Sequence, residues 1–212
     1  MGLINRADQE KLQGADTGNS FGGKAVLLDS AKNVRTACGL GAKNGSTVSV
    51  VEYGAGDVLH KTVITCVATP ITIADDAAVA QYGGVKLYDF PAGLLVTYGA
   101  VIDGAITGYA SLIDTFDGDV ALGTATATTG ATLVSTEADI MPSVALTQAV
   151  DEVAVCDAVS VATALTESGA RWFDGRSTAK DLFLNFVIDD NAAHGAGTAT
   201  FTGTVTILWS LL

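Results

Sequence analysis

From residue 46 onward, apolar and polar residues alternate with a period of two, and Gly, Pro, Asn and Asp repeatedly break the alternation. A strand sends successive side chains to opposite faces, so each alternating run predicts a strand and each break a turn. "STVSVVEYG" predicts a strand and "GAGD" a turn. "VLHKTVITCVATPITI" predicts one long strand, or two joined at Pro70, and "GGVKLYDFP" a short strand ended by Pro91. "AGLLVTYGAVIDGAITGYASLI" predicts a long apolar strand bent at Gly99 or Gly104. "DTFDGDVALGTATATTGATLV" places turn residues on both sides of a short strand. "STEADIMPS" reads as a single capped turn, with Ser135 and Thr136 ahead of acidic residues and Pro142 as its stop.

In "VDEVAVCDAVSVATAL", Val153, Val155, Val159 and Val161 alternate, and their branched side chains favour a strand over a helix. The strongest alternation is at the C-terminal end. In "KDLFLNFVIDD", Leu182, Leu184, Phe186 and Ile188 share one face. In "GTATFTGTVTILWSLL", Phe201, Val205, Ile207, Trp209 and Leu211 share a face, and Thr198, Thr200, Thr202, Thr204 and Thr206 form the other, which suits a solvated sheet surface. The glycine-rich "NAAHGAGT" between these two strands predicts a hairpin.

Residues 1–45 differ. "NRADQEKLQGADTGNSFGGK" is polar, glycine-rich and without a sustained period, and "AVLLDSAKNVRTACGLGAKNG" adds one short apolar run. This predicts an extended N-terminal arm, with one small helix at most, ordered by a partner. The expected fold class is therefore all-β: an antiparallel β-sandwich, jelly-roll-like, over residues 46–212, preceded by the arm at 1–45. Composition agrees: 49% of the 212 residues are apolar but only 16% charged, a mixture short of the Glu, Lys, Leu and Arg that helices favour.

Charge removes one class of partner. A net charge of −12 repels a phosphate backbone, so no nucleic acid is expected. The most apolar stretch, "GLLVTYGAVIDGAI", is interrupted by Thr97 and Asp103 and is too short to predict a membrane span. The first residues lack the apolar core of a secretory signal, and Arg6 stands where a myristoylation signal needs Ser or Thr. Cys38, Cys66 and Cys156 are odd in number, widely spaced and set among small apolar residues. They are expected to be buried free thiols of a protein made in a reducing compartment.

One stretch, "GNSFGGKAVL", matches two catalytic patterns. As Gly18-x-x-x-x-Gly23-Lys24 it approaches a P-loop, but no buried strand precedes it and Ala25 stands where the magnesium-binding hydroxyl belongs. As Gly18-x-Ser20-x-Gly22 it approaches a nucleophile elbow. His60 and His194 are available, but the strand-to-helix turn and the α/β sheet are not. Both matches are expected to be chance in a glycine-rich arm.

His60 is expected to be a structural histidine within its strand, and His194 an exposed turn residue. Asp114, Asp117 and Asp119 around Gly118 could offer oxygens to calcium. They lack the EF-hand spacing and its terminal Glu, and a solvated turn is the expectation. Asp75, Asp76 and Asp189 to Asn191 are expected in turns. Asn44-Gly45-Ser46 fits the glycosylation pattern without a secretion signal to give it meaning. Trp172 and Phe173, with Arg171, Asp174 and Arg176 beside them, could stack on a sugar ring. Capping the end of the sandwich core is the commoner use of such a pair. No catalytic, cofactor-binding or metal-binding residue is assigned.

"VEYGAGDVLHKTVIT", "VKLYDFPAGLLVTYGAVID", "FDGRSTAKDLFLNFVIDD" and the final "GTATFTGTVTILWSLL" together resemble a group of small proteins of tailed-phage genomes. The shared order is a Glu-Tyr-Gly turn, a His-Lys-Thr strand, a Phe-Pro turn and a Thr-rich last strand ending in Trp. The resemblance covers about residues 48–110 and 172–212. It implies a non-enzymatic virion structural protein, made in the host cytoplasm and placed on the capsid surface as a decoration, cement or minor capsid protein. The implied partner is the major capsid protein, and the implied assembly is a homo-oligomer, a trimer at threefold points of the shell. The alternatives are a receptor- or glycan-binding module of a head or tail fibre, centred on Trp172, and a hydrolase acting through Ser20.

Overall fold

A computed structural model describes residues 26–28, 34–36, 41–54, 59–76, 80–108, 118–129, 132–148, 153–160, 172–188 and 196–212. The all-β, antiparallel architecture expected from the alternation is present. The strands are β1 (Val26–Leu28), β2 (Val34–Thr36), β3 (Ala42–Lys43), β4 (Val48–Gly54), β5 (His60–Asp76), β6 (Ala80–Asp89), β7 (Leu94–Thr107), β8 (Gly118–Gly123), β9 (Met141–Ala145), β10 (Thr147–Gln148), β11 (Val153–Ser160), β12 (Trp172–Asp174), β13 (Asp181–Ile188) and β14 (Gly197–Leu211). β1 and β2 pair only with each other. The other twelve form one curled sheet in the order β10-β11-β7-β14-β5-β6-β13-β8-β9, with β12 on β7, β3 on β6 and β4 on β5.

The curl originates in β5. One edge of this strand pairs with β14 from His60 to Ile73. Its other edge carries β4 over His60–Cys66 and β6 over Ile73–Asp76. Between them the sheet forks, and β4 and β6 lead into different layers. Pro70 falls in that gap, where β5 has no strand on its second edge and a missing N–H costs the ladder least. A bulge lies beside it: the register shifts between Phe201 and Gly203, Ala68 takes a positive φ of 46°, and its N–H donates to Thr202 Oγ1 at 3.0 Å. β5 is thus one continuous strand across Pro70, bent at a bulge.

The core fills the space between the layers. Ile64, Ile102, Ile106, Phe201, Val205, Ile207 and Trp209 from β5, β7 and β14 meet Leu87, Leu182, Leu184, Phe186 and Ile188 from β6 and β13, all buried. The apolar faces expected for the last two strands both point into it. A second, smaller cluster of Ala121, Ala127, Leu133 and Val187 lies apart from this core. Val187 is the odd-parity neighbour of Phe186, so this cluster sits on the opposite face of β13, and its Ala127 and Leu133 come from the segment between β8 and β9.

The expected hairpin between the last two strands does not form. β13 pairs with β6 and β8, and β14 pairs with β5 and β7. The reason lies in burial. From Leu184 to Ile188 every residue of β13 is buried, on both faces, so β13 requires an interior position in its own layer. β14 is equally central in the other layer, between β5 and β7, so the two strands lie in different layers. Two turn expectations also change. Asp75 and Asp76 are the last residues of β5, paired with Gln81 and Ala80. Pro142 lies inside β9, which pairs only with β8 and so has an edge for a residue without an N–H. The single turn expected before it is a 3-10 turn at Ser135–Glu137.

Candidate functional site

Three places gather polar or exposed aromatic side chains. The first is a buried hydrogen-bonded chain at the fork. Trp209 Nε1 donates to Thr62 Oγ1 at 2.7 Å, and Thr62 Oγ1 donates to Glu52 Oε1 at 3.2 Å. Tyr88 donates its hydroxyl to the same Glu52 oxygen and accepts the N–H of Gly41 at 2.9 Å. Burial, reinforced by the Glu52 carboxylate, pushes the Tyr88 phenol far above its ordinary range, so it is a fixed hydrogen-bond donor and not a proton-transfer group. His60 stacks on Trp209 with centroids 4.2 Å apart, and Phe90 meets the same indole edge-on at 5.5 Å. His60 is therefore buried in the core, as expected of a structural histidine.

This chain also roots the N-terminal segment. Gly41 is held by Tyr88, β3 pairs with Tyr88 and Asp89, and Asn44 donates its backbone N–H to Leu87 O at 3.1 Å and Nδ2 to Lys86 O at 2.9 Å. The notch beneath it, lined by Ser46, Thr47, Thr69, Pro70, Val85 and Lys86 among others, holds about 170 Å³. That is small beside the roughly 300 Å³ at which ligand pockets begin. Lys86 also makes ion pairs with Asp89 and, at 3.1 Å, with Asp181, which raise its pKa further.

The second place is a clasp on the back of β13. Asn185, fully buried, accepts the Ala127 N–H at 2.9 Å and donates to the carbonyls of Ala125 and Glu137, each at 2.8 Å. Glu137 accepts the N–H and hydroxyl of Thr128, both at 2.8 Å, and the N–H of Val134 at 3.4 Å. Asp139 accepts the N–H and hydroxyl of Thr124 at 2.8 and 2.6 Å. Every one of these groups is engaged in holding the β8–β9 segment, which makes the clasp structural. The capping expected of Ser135 and Thr136 is instead done by Glu137 reaching back. No sequence pattern distinguishes Asn185, because its partners are backbone groups about 50 to 60 residues away; Glu137 has local partners, Thr128 and Val134.

The third place is the outer face of the β4-β5-β14-β7 layer. Its registers set side chains in transverse rows: Tyr53, Lys61, Leu208 and Gly99; then Val51, Val63, Thr206 and Val101; then Ser49, Thr65, Thr204 and Asp103. Val51, Tyr53, Val101 and Leu208 are all exposed, and Lys61 Nζ stands 5.8 Å over the Tyr53 ring. At the end of this face Trp172 is 58% exposed and pairs in register with Val96, while Tyr98 shares a 2.9 Å hydrogen bond with Ser210. Phe173 turns inward and is buried, so the two aromatics divide the expected roles: Phe173 caps the core and Trp172 faces solvent. Asp174 is clamped by Arg176 through Nε at 3.0 Å and Nη2 at 2.8 Å, which holds its carboxyl well below the usual range.

The remaining candidates are scattered. Gly18, Ser20, Gly22, Gly23, Lys24, Cys38, Asp114, Asp117, Arg171, Asp189 to Asn191 and His194 lie outside the described residues. Asp119 is a strand residue of β8, paired with Val187 and Ala145. Cys66 is a buried free thiol whose pKa burial raises, as expected; Cys156 occupies a β11 position opposite Gly104. Among the described residues no three His, Cys, Asp or Glu side chains gather as metal ligands, and no helix is long and apolar enough to cross a membrane. No protein-family model, curated protein or solved structure matches the chain.

Proposed function

We propose that this is a non-enzymatic virion structural protein of a tailed phage, a decoration protein that binds the outside of the capsid and cements it through its β body and N-terminal arm. The observation that carries the reading is the rooting of the arm. Gly41 and Asn44 are fixed to β6 by three hydrogen bonds to Tyr88, Leu87 and Lys86, so the polar, glycine-rich N-terminal segment joins the body at a fixed point. An arm so anchored transmits load from a neighbouring subunit into the sheet and not into a loose loop. The resemblance of the strand and turn motifs to phage proteins supplies the class of partner, the major capsid protein, and a threefold site is the assembly it favours.

The test is binding of the purified protein to undecorated capsids of its own phage, counted as copies per shell at saturation. A fixed stoichiometry matching threefold positions, lost on deletion of residues 1–45, is the expected result. Absence of binding at micromolar protein sinks the reading.

One observation favours a second reading, a glycan-binding module of a fibre: Trp172 and Tyr98 stand exposed at the same end of one sheet face, beside the Asp174–Arg176 pair. Sugar rings stack on such platforms. A glycan screen in which Trp172→Ala abolishes a wild-type signal would establish it.

A further inference from the structure

We infer that the outer face of β4, β5, β14 and β7 is a self-association surface that pairs with the same face of a second copy about a twofold axis over Thr206. The inference concerns the protein alone and stands apart from any shell.

The first argument is the charge pattern. The chain carries −12 overall, yet across the three transverse rows of this face, extended onto β11 by Val159 opposite Val101 and Asp157 opposite Asp103, only Lys61, Asp103 and Asp157 are charged. The rest are Val, Thr, Ser, Tyr, Leu and Gly, with Val51 and Val101 each 38% exposed and Val63 half-buried between them. A broad, charge-poor face on an acidic protein is where self-repulsion is weakest and where apolar area remains to be buried.

The second argument fixes the occupant. Lys61 lies on β5 in the first row and Asp103 on β7 in the third. The strand between them is β14 and the row between them is the second, so their midpoint is Thr206, flanked by Val63 and Val101. Strand spacing and rise put the two charges roughly 16 Å apart. A twofold axis lying in the plane of the face, passing over Thr206 and perpendicular to the Lys61–Asp103 line, carries Lys61 onto the partner's Asp103 and Asp103 onto the partner's Lys61. The face is therefore complementary to itself in charge at these two positions, with its apolar row at the centre, which is the requirement of an isologous interface. The Asp157 position, one strand beyond Asp103, falls next to the partner's Lys61, where a carboxylate is also attracted. Five strands including β11, at about 4.8 Å each, and some 25 Å of strand length give about 600 Å² per copy. Two copies bury about 1,200 Å², enough for a specific, modest interface.

The test is sedimentation of the full chain at physiological salt. The wild type is expected to dimerise in about the 1–100 μM range. Lys61→Glu and Asp103→Lys are each expected to weaken the dimer at least tenfold, because each sets two like-charged contacts in place of two attractive ones. The double variant, with both charges exchanged, is expected to return to within about threefold of the wild type, since the reciprocal pairs are restored in reverse. Both positions are exposed, and circular dichroism checks that the sheet is intact. Thr206→Lys places two cations on the axis and is expected to abolish the dimer. A wild type that stays monomeric at 100 μM or more, single variants without effect, or a double variant as weak as the singles each overturns the inference. The capsid-binding test does not depend on any of these outcomes.

Discussion

Asn185 sits with no solvent exposure in the middle of β13, and its amide reaches Ala125, Ala127 and Glu137 together. Replacing it with Leu keeps the volume but leaves one backbone N–H and two carbonyls buried without partners. Such groups cost about 1–3 kcal/mol each, partly relieved by relaxation. Asn185→Leu is expected to lower unfolding free energy by about 3 kcal/mol in urea titration, and a loss under about 1 kcal/mol would mean that the β8–β9 segment is held by something else. Asp139 gives a pH signature in the same segment. Burial raises its pKa, though the two Thr124 hydrogen bonds oppose this. The folded state therefore holds this proton more tightly than the unfolded chain does. The stability it contributes is full below the unfolded value of about 3.9 and is lost as pH rises through the folded value. Asp139→Asn cannot ionise and still offers an acceptor to the Thr124 N–H. Its stability relative to wild type is thus expected to rise from pH 4 towards 7, read from urea midpoints across that range. A pH-independent difference would show that Asp139 titrates in the fold as it does in the unfolded chain.

At the scale of elements, β7 and β14 pair with two glycines facing each other. Gly104 pairs with Gly203, and a Cβ on Gly104 would lie 2.6 Å from Thr202 O and 2.8 Å from the Gly203 Cα. Both neighbours are backbone and cannot swing aside. Gly104→Ala is expected to cost about 2–3 kcal/mol by forcing the two central strands apart, seen as a lower thermal midpoint; an unchanged midpoint would mean the strands have slack. The sequence marked Gly104 only as a bend. Its real constraint depends on a strand about 100 residues later, which alternation cannot register. The same limit explains what was legible. Period-two runs located β4 to β8, β11, β13 and β14 and assigned the inward faces of the last two correctly, because alternation is a local property. Pairing is not local: adjacency in sequence suggested a β13–β14 hairpin, whereas two-sided burial of β13 demanded neighbours from elsewhere. The outer face was half legible. The threonines of β14 announced a solvent-facing surface, and Trp172 an exposed aromatic. The rows joining Val51, Val63, Thr206 and Val101 required registers between four strands that span most of the chain.

For the whole molecule, the consequence of this topology is that the C-terminal strand joins the first layer together. β14 runs the length of β5 and β7, pairing with His60 to Ile73 on one side and with Leu95 to Thr107 on the other. It also supplies Phe201, Val205, Ile207 and Trp209 to the core and the indole N–H to the buried chain through Thr62 and Glu52. Without it β5 and β7 have no common neighbour, and the first layer becomes two separate ribbons with half their inner face open. A chain ending at residue 196 is therefore expected to lack a cooperative thermal transition and a near-ultraviolet dichroism signal, although only 16 of its 212 residues are gone. Loss of a peripheral strand would not do this; loss of a central one removes both ladders at once. The same closure predicts slow folding of the intact chain, since the pairing of β14 with β5 joins residues about 130 apart and must meet its loop-closure entropy before any of its contacts form. Refolding from urea is expected on a timescale of about a second or longer. A shortened chain that still melts cooperatively, or refolding of the intact chain within microseconds, would mean that the layers of this sheet stand independently, with β14 added to a structure already formed.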